Sequence, residues 1–320
     1  MSIDQSSMSR RAFVRGIAGT AALSALPTQS VTRYTQKASI TAAQMRAGGV
    51  AAKIVTMPVR NNVRALMGSG GNIVVLPGPD GKILVDTGLA TSRTQITKAL
   101  AAISPEPLRH VIDTHWHFDH TDGNEWMHEI GATIIAQEKV RERMSSRQTI
   151  PAFDAVLSPS PAAALPTILF RQTHKVALNG EVIHLRRLTP AHTDTDIAVF
   201  FTNANVLHTG DTFFNGYYPF IDYNSGGSIV GLLAASKESL SRADENTVVV
   251  PGHGDLGTHK DLVEFDEMIV SIHEKVKELK KSGRSLDEVI AEKPTSKFDA
   301  KWGGGFISPS FVTELVFVGA

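Results

Sequence analysis

Thr114-His115-Trp116-His117-Phe118-Asp119-His120 is a stretch with three histidines and an aspartate within six residues, and the predicted fold is arranged around it. The i, i+2 spacing of His115 and His117 is typical of an extended segment or tight loop, since two ligands on one helix face lie three or four residues apart. Asp119 and His120 follow with the opposite orientation. The stretch therefore predicts two adjacent metal sites, one served by His115 and His117 and the next by Asp119 and His120. The alternative is a polar loop that is rich in histidine by chance.

Short strands lead up to this stretch. Runs of β-forming residues between Gly- and Pro-rich turns predict antiparallel strands of one sheet at 54–58, 63–67, 72–76 and 82–86. Residues 91–103 carry apolar side chains at helical spacing, and 108–112 form an apolar strand that ends just before the histidines. In layered α/β folds, ligands bind at the carboxyl ends of such strands. The stretch thus occupies a position where a functional site is expected.

The chain after the stretch alternates between helical and strand patterns. Helices are predicted at 121–130, 138–144, 228–240 and 260–281, and strands at 132–136, 182–188, 197–202, 206–209 and 247–250. Two sheet halves, each followed by helices, predict an α/β sandwich of two central sheets covered by helices on the outside.

Residues 145–166 differ from the rest of the chain because prolines interrupt them repeatedly. The sequence Ser158-Pro159-Ser160-Pro161, together with Pro151 and Pro166, predicts that no regular element forms here. A loop of this length is usually functional or disordered. We expect a lid beside the site, with a surface insertion as the alternative.

Three further candidate ligands each follow a predicted strand. His192, Asp211 and His253 stand beside the glycines or prolines of sharp turns, where a side chain can project into a cleft. Individually, a histidine in such a place is more often a surface or capping residue. Together they complete what a catalytic zinc ion requires, three protein ligands and one open position. The predicted first site is His115, His117 and His192, the second is Asp119, His120 and His253, and Asp211 bridges the two.

The absence of cysteine narrows the choice of metal. With no Cys in the chain, a disulfide framework, a thiolate site and a cysteine nucleophile are all excluded. Imidazole and carboxylate ligands favour Zn, with Mn or Fe as substitutes. Two such ions would share a hydroxide that forms near neutral pH. We therefore predict two zinc ions per chain and a hydrolytic reaction.

Charge and composition exclude other classes of function. The 320 residues contain 32 Lys and Arg against 32 Asp and Glu, and there is no long basic run, so nucleic-acid binding is not expected. A hydrophobic share of 42% is ordinary for a soluble globular protein. The predicted partner of the site is a small-molecule substrate.

The N-terminus resembles a bacterial export signal. Residues 9–15 are basic, and an apolar run at 16–26 follows, whose 11 residues are too few to cross about 30 Å of hydrocarbon. The pair Arg10-Arg11 resembles the twin-arginine signal, whose machinery exports proteins already folded and so suits a protein that acquires its metal first. A basic amphipathic helix is the alternative. We predict a signal peptide at 1–30, a poorly ordered linker at 31–50, one hydrolase domain at 51–320, no membrane span, and a periplasmic or secreted location.

The motifs as a set resemble those of the metallo-β-lactamase superfamily. The Thr114–His120 stretch, Ala191-His192, Gly210-Asp211 and Gly252-His253-Gly254 occur in the family's order, as does Leu84-Val85-Asp86-Thr87-Gly88 upstream. The resemblance covers about residues 50–255. It implies a four-layer αβ/βα sandwich with a dinuclear site along the shared edge of the sheets. It also implies that Asp86 is a structural carboxylate beside the metal loop and not a ligand.

The proposed chemistry follows from this ligand set. A metal-bridging hydroxide, oriented by Asp119, would attack an ester, lactone, thioester, amide or related bond. True β-lactamases of the superfamily usually lack an aspartate matching Asp211, so lactam hydrolysis is the alternative, and a non-catalytic metal-binding relative is another. Lactonases typically carry tyrosine three residues after the bridging aspartate, where this chain has Phe214.

Several aromatic residues stand near the candidate ligands in the sequence. If they line a pocket, the substrate is apolar or aromatic, and the alternative is that they pack in the core or at its rim. The residues concerned are Trp116, Phe213, Phe214, Tyr217, Tyr218 and Phe220.

Overall fold

The first β-sheet comes from the first half of the chain. The computed structural model describes residues 33–320, so the predicted signal peptide at 1–30 lies outside the described residues. The strands are β1 (Val55–Arg60), β2 (Val63–Met67), β3 (Ile73–Leu76), β4 (Lys82–Val85), β5 (Leu108–Ile112), β6 (Thr133–Gln137), β7 (Gln148–Ile150), β8 (Ala155–Leu157) and β9 (Ile168–Phe170). All except β7 and β8 form a seven-stranded sheet in the order β1-β2-β3-β4-β5-β6-β9. Consecutive pairs from β1 to β4 are antiparallel, whereas β4, β5, β6 and β9 are parallel.

The second sheet comes from the second half of the chain. Its strands and their short neighbours are β10 (Thr173–Leu178), β11 (Glu181–Arg187), β12 (Ile197–Phe201), β13 (Val206–His208), β14 (Phe214–Asn215), β15 (Val248–Val250), β16 (His253–Gly254) and β17 (Gly257–Thr258). Six of them form the sheet β10-β11-β12-β13-β15-β17, and β14 pairs with β16 beside it. β13 and β15 are parallel, and the crossover connection that a parallel pair requires contains the helix at Ile229–Arg242.

Helices lie before, between and after these strands. The α-helices are α1 (Ala42–Gly49), α2 (Arg93–Ile103), α3 (Phe118–Thr121), α4 (Asn124–Glu129), α5 (Glu138–Met144), α6 (Ile229–Arg242), α7 (His259–Lys281), α8 (Leu286–Ala291), α9 (Asp299–Trp302) and α10 (Pro309–Gly319). α7 begins at a Thr258–Asp261 capping box. Within residues 33–320, no helix is both long and apolar enough to span a bilayer.

The side chains of a strand point alternately to its two faces, and their packing on both faces gives the predicted four layers. Ile83 and Val85 of β4 share a buried cluster with Ile183 and Val199 of the second sheet, so this cluster joins the two sheets. Leu84 points the other way, as the two-residue period of a strand requires, and belongs to the cluster that contains α2 and α4. The outer face of the second sheet packs in a third cluster with residues of α6, α7 and α10. The sandwich fold predicted from the sequence is confirmed.

Two predictions about order were wrong. The expected linker over 31–50 contains α1, which begins at a Thr41–Gln44 capping box, and Tyr34 ahead of it is buried. The capping box and tertiary contacts stabilise a segment whose composition alone resembles a linker. Within 145–166, β7 and β8 form an antiparallel hairpin, because the prolines fall outside these strands. The boundaries at 1–30 and 51–320 stay predictions.

Candidate metal centre

The predicted ligands lie on loops at the ends of strands. His115 and His117 follow β5 directly, and the single-turn helix α3 then carries Asp119 and His120. The other three follow later strands of the chain. His192 lies in the loop after β11, Asp211 in a 3-10 turn after β13, and His253 in β16 just after β15.

The structure brings all seven of these side chains together. They form two groups, and within each group the candidate ligand atoms lie within 4.8 Å of one another. The first group is His115, His117, His192 and Asp211, and the second is Asp119, His120 and His253. We call these seven residues the His/Asp cluster. The three imidazoles of the first group and the three residues of the second are the sets predicted from the sequence, whereas Asp211, predicted to bridge them, falls in the first group. The role of each residue as a ligand stays a prediction.

Asp211 lies between the two groups. Its Oδ1 is 3.1 Å from His120 Nε2, and its Oδ2 is 3.4 Å from both His192 Nε2 and His253 Nε2. Within the second group, Asp119 Oδ2 lies 3.2 Å from His253 Nε2. One carboxylate is therefore within reach of both candidate sites, as a bridging ligand must be.

Hydrogen bonds outside the cluster orient its imidazoles. The outer nitrogen of His120, Nδ1, donates to Asp86 Oδ2 (2.7 Å), and that of His192, also Nδ1, donates to the Phe220 carbonyl (2.8 Å). His117 is reversed, because its Nε2 donates to Asp222 Oδ2 (3.0 Å) and its Nδ1 lies 2.8 Å from His192 Nε2. An outward N–H fixes the tautomer and leaves the inward nitrogen free to bind a cation.

Two carboxylates thus support the cluster from outside it. Asp86 has a left-handed backbone (φ 63°) and accepts hydrogen bonds from the Thr114 amide (2.7 Å) and hydroxyl (2.8 Å) as well as from His120. This is the structural role that the family resemblance implied. Asp222 was missed by the sequence analysis. Its local hydrogen bonds to Asn224 and Ser225 describe only a turn, and nothing local indicates a partner 105 residues away.

His208 supports the site indirectly, through the backbone of a neighbouring turn. Its Nδ1 accepts a hydrogen bond from the Gly210 amide (3.0 Å), and its Nε2 donates to the Asn72 carbonyl (3.2 Å). His208 therefore stabilises the turn that precedes Asp211 without contacting the Asp211 carboxylate through these bonds.

The residues present fit a bound metal. His115 Nε2 and Asp211 Oδ1 are buried, and apart from the ion-pair approach of His120 Nε2 to Asp211 Oδ1, neither has a hydrogen-bond partner among the described residues. His120 Nε2 and His253 Nε2 face each other at 3.4 Å. Two nitrogens that bind one tetrahedral zinc ion at 2.0–2.1 Å lie about 3.3 Å apart. Unpartnered buried atoms and this spacing are both accounted for by a cation among the side chains.

Close backbone contacts hold two of the candidate ligands. A Cβ at Gly252 would lie 1.9 Å from Asp211 Oδ1, and one at Gly71 would lie 2.1 Å from His120 Cε1. A larger residue at either position would displace the side chain that the glycine contacts. This explains two of the glycines near the ligand motifs without invoking flexibility.

The carboxylates of the cluster are ionised beside its imidazoles, which favours binding of cations. Burial opposes ionisation of Asp211, but His120 and His253 outweigh it and hold the pKa of that carboxyl well below its usual range. Burial likewise raises the pKa of Asp119, yet the same two imidazoles lower it to about 2. Burial, followed by the charge of His120, keeps the pKa of His115 well below its ordinary value. Both carboxylates are thus anionic and His115 is neutral, which are the forms that bind metals.

A narrow aromatic cleft opens onto the cluster. Phe214 and Phe220 line it, with ring centroids 5.0 Å from His253 and 5.8 Å from His192, respectively. Among the described residues, none of those lining the cleft is Lys or Arg. The free space inside is about 20 Å³. Four further lining residues come from segments that carry none of the candidate ligands, and we call them the roof: Met45, Ile150, Phe153 and Phe306.

The aromatic residues singled out in the sequence divide between cleft and core. Phe213 packs against Phe265 (5.1 Å), and the Tyr218 hydroxyl donates to Asp299 Oδ1 (2.7 Å), so both belong to the core. Trp116 lines a separate cavity of about 460 Å³. The expectation that these aromatic residues line a pocket and the alternative that they pack in the core were therefore each right for some of them. The segment 145–166 lies beside the site as predicted, since it contributes two roof residues.

Known proteins resemble this chain in sequence. The model of the metallo-beta-lactamase superfamily matches residues 66–253, more than half of the chain. A hydroxyacylglutathione hydrolase of Polaromonas sp. is 30% identical over 161 residues, which are 49% of this chain and 52% of that protein. The chain thus matches only about half the length of that relative. A probable metallo-hydrolase of Methanocaldococcus jannaschii is 29% identical over 182 residues, which are 55% of this chain and 84% of that one.

Solved structures agree on the fold. A metallo-beta-lactamase from Pontibacter korlensis aligns with a TM-score of 0.56 and 16% identity, covering 68% of this chain and 99% of that chain. A stereoselective inverting sec-alkylsulfatase from Pseudomonas sp. aligns with a TM-score of 0.64 and 14% identity, covering 88% and 53%. At such identities the likeness extends to the fold alone.

Proposed function

The chain belongs to the metallo-β-lactamase superfamily, and from this premise we propose that it is a dinuclear zinc hydrolase of small molecules with an ester, thioester, lactone or amide bond. The observation that carries the proposal is the position of Asp211 between two groups of inward-facing imidazoles, with buried atoms that lack other partners. A binding protein that holds a single structural metal has no need for such a shared carboxylate.

The residues of the cluster would hold two cations between them. His115, His117 and His192 would bind the first, Asp119, His120 and His253 the second, and Asp211 both. Two bound divalent ions would supply a hydroxide nucleophile near neutral pH and stabilise negative charge that develops on the substrate oxygen. These assignments rest on the geometry of the seven side chains.

Protein side chains contribute orientation and exclusion of water. Asp119 lines the cleft with its anionic carboxylate, so it can accept a hydrogen bond from the attacking water and direct the oxygen lone pair towards the substrate. Asp222 and the Phe220 carbonyl keep the inward nitrogens of His117 and His192 unprotonated. The rings of Phe214 and Phe220 exclude bulk water, which strengthens each electrostatic interaction in the site.

The cleft favours an uncharged, apolar acyl group. An anionic substituent placed among the aromatic rings would be desolvated without a Lys or Arg partner, which is costly. The likeness to a hydroxyacylglutathione hydrolase supports a thioester as one member of the class. The bond that best fits these features is therefore an ester or thioester of an apolar acid.

Metal analysis combined with a substrate panel tests the proposal. Purified protein is stripped with a chelator, reconstituted separately with Zn, Mn or Fe, and assayed on esters, thioesters, lactones, lactams and phosphodiesters. We expect about two zinc ions per chain and chelator-sensitive hydrolysis of apolar esters or thioesters. Full metal occupancy without turnover of any substrate would identify a non-catalytic relative, and turnover of lactams alone would identify a β-lactamase.

We also propose that the protein is exported in folded form to the periplasm or beyond it. The support is the basic segment with Arg10-Arg11 ahead of a short apolar run. Expression of the full chain in a bacterium, followed by fractionation and N-terminal sequencing, should find a shortened protein outside the cytoplasm. The paired substitution Arg10→Lys and Arg11→Lys should retain it inside, and a full-length cytoplasmic wild type would refute export.

A further inference from the structure

The cleft is too small for any substrate of the proposed class. Its free space of about 20 Å³ accommodates about one water molecule. Sites that enclose small organic ligands usually measure about 300 Å³ or more. An acyl group can therefore enter this cleft only if one of its walls moves.

The floor of the cleft is not the wall that moves. Phe214 and Phe220 are each only 1% exposed, and Phe214 lies in β14, which pairs with the strand that carries His253. The Phe220 carbonyl also holds His192. Displacing either residue would disrupt the cluster itself, so the moving part belongs to the roof.

Phe306 is the roof residue with the most freedom. It is only partly buried, and Gly303-Gly304-Gly305 precede it directly. The residues on both sides of this segment are anchored. Trp302 is 2% exposed and its carbonyl accepts a hydrogen bond from the Tyr218 amide (3.0 Å), while Ile307 is fully buried ahead of α10. The segment 303–306 is thus a short, glycine-rich link between two fixed points.

The three glycines have different roles. A Cβ at Gly303 would lie 2.7 Å from the Asp299 carbonyl oxygen, and one at Gly305 would lie 2.8 Å from the Tyr217 ring, so close packing accounts for both. A Cβ at Gly304 would meet no atom within 4 Å. Neither packing nor a positive φ requires glycine at 304, and a glycine there leaves the backbone of the link freer than any other residue would.

Few interactions hold Phe306 over the cleft. Its ring centroid lies 5.6 Å from that of Phe153, 5.9 Å from that of Phe214 and 5.8 Å from that of His253. Its carbonyl accepts a hydrogen bond from the Ser39 amide (2.9 Å). The three ring contacts are edge-to-face contacts, which a bound acyl group can replace.

We propose that Phe306 is the specificity-determining residue of this site, which limits the size of the acyl group and admits it by turning away on the Gly303–Gly305 link. Long acyl chains need the ring fully displaced, whereas the shortest need only a partial opening. The inference rests on the proposed function, because it presumes that the substrate reaches the His/Asp cluster through the roof.

Esters of one alcohol with acyl chains of increasing length test the proposal kinetically. Phe306→Ala should raise kcat/KM for the longest acyl chain by about tenfold or more and alter that for acetyl by less than about threefold. Gly304→Ala should lower kcat/KM most for long chains without loss of thermal stability. In the double variant the effect of Gly304→Ala should vanish, because no ring remains to be moved.

Two variants serve as controls. Met45→Ala also shortens a roof residue, but one on the capped helix α1, and Phe298→Ala removes a half-buried phenyl group that does not line the cleft. Neither should broaden the range of acyl chains. Equal broadening by Met45→Ala, or one uniform factor for all chains in Phe306→Ala, would overturn the proposal.

Hydrogen exchange provides a readout that does not depend on turnover. Amides 303–306 should exchange faster than those of α10, and Gly304→Ala should slow them. If the wild type hydrolyses nothing, the proposed function fails, while this exchange pattern still tests the opening. Exchange at 303–306 as slow as in α10 would refute the gate even in an active enzyme.

Discussion

The His/Asp cluster and the roof line the same cleft, but different interactions hold them in place. Cluster residues follow strands of the sandwich, and carboxylates, a carbonyl and close glycine contacts fix their orientation. The roof comes from three segments that are far apart in the sequence, α1, the hairpin region and the link before α10, and its residue Phe306 is held by ring edges and one backbone hydrogen bond. Reactivity and selectivity therefore reside in parts of the molecule that can change independently.

The largest loss of activity is expected at Asp211, where the two candidate sites meet. Asp211→Asn keeps the shape of the side chain but removes the charge that faces His120, His192 and His253. We expect kcat/KM to fall by about 10³-fold and bound zinc to decrease, measured by steady-state kinetics and elemental analysis.

The control is Asp287→Asn, which alters an exposed carboxylate on α8 and should change neither quantity. A fully active Asp211→Asn enzyme with two ions would show that the central carboxylate does not join the sites.

A smaller loss of zinc affinity or activity is expected at Asp222, a carboxylate that contacts the His/Asp cluster from outside it. In Asp222→Asn, the remaining oxygen can still accept from the Asn224 and Ser225 amides, which turns the new NH₂ group towards His117 Nε2. His117 would then carry its proton on the inward Nδ1, the wrong tautomer for binding a cation. Zinc affinity or kcat/KM should fall by about 10- to 100-fold, measured by competition with a chelator and by kinetics.

Thermal unfolding should show that the metal-free variant is folded. Unchanged zinc affinity would mean that Asp222 serves only its own turn.

A substitution in α10, outside the cleft, should affect the stability of the protein more than its catalytic activity. The buried Glu314 carboxylate of α10 accepts hydrogen bonds from the Thr35 amide (2.7 Å) and hydroxyl (2.8 Å) and from the Gln36 amide (2.9 Å). Nearby, the Ser39 amide bonds to Phe306. Glu314→Gln places an NH₂ group against one of these donors and should lower the free energy of unfolding by about 2 kcal/mol, measured by chemical denaturation.

Glu278→Gln on the exposed side of α7 should cost almost nothing. If Glu314→Gln reduced kcat as strongly as Asp222→Asn does, the independence of roof and cluster would be wrong.

The smallest effect is the pH dependence of the metal-free protein. Burial lowers the pKa of His253, but Asp211 and Asp119 outweigh it and raise the pKa to about 9, so this stabilisation is complete below the unfolded value near 6.5 and is lost as pH rises through about 9. Burial lowers the pKa of His115 and His192, so stability also falls below pH 6.5, where the unfolded chain takes up protons. The midpoint of thermal unfolding should therefore be highest near pH 6.5.

Zinc should reverse the alkaline decline, because protons and metal compete for the same nitrogens. A midpoint that keeps rising from pH 6.5 to 9 without metal would show that the carboxylates do not stabilise the His253 cation.

Local signals sufficed for much of the fold and for the candidate ligands. The strand at 108–112 and the helix at 138–144 have the predicted bounds, because their periodicity and flanking breakers coincide. Each candidate ligand follows a strand and has a turn residue nearby, so position along the chain implied position at the sheet edge. The prediction of no regular element in 145–166 was wrong, because its prolines flank β7 and β8 and do not interrupt them.

The sequence by itself determined where the reactive side chains stand, since a histidine or aspartate beside a strand-ending turn is a local pattern with a chemical reason. Only the tertiary structure decided that Asp222 orients His117 and that Phe306 covers the cleft. Such partners come from segments far apart in the chain, and their contacts depend on how the layers pack. A pattern of neighbouring residues carries no record of that packing.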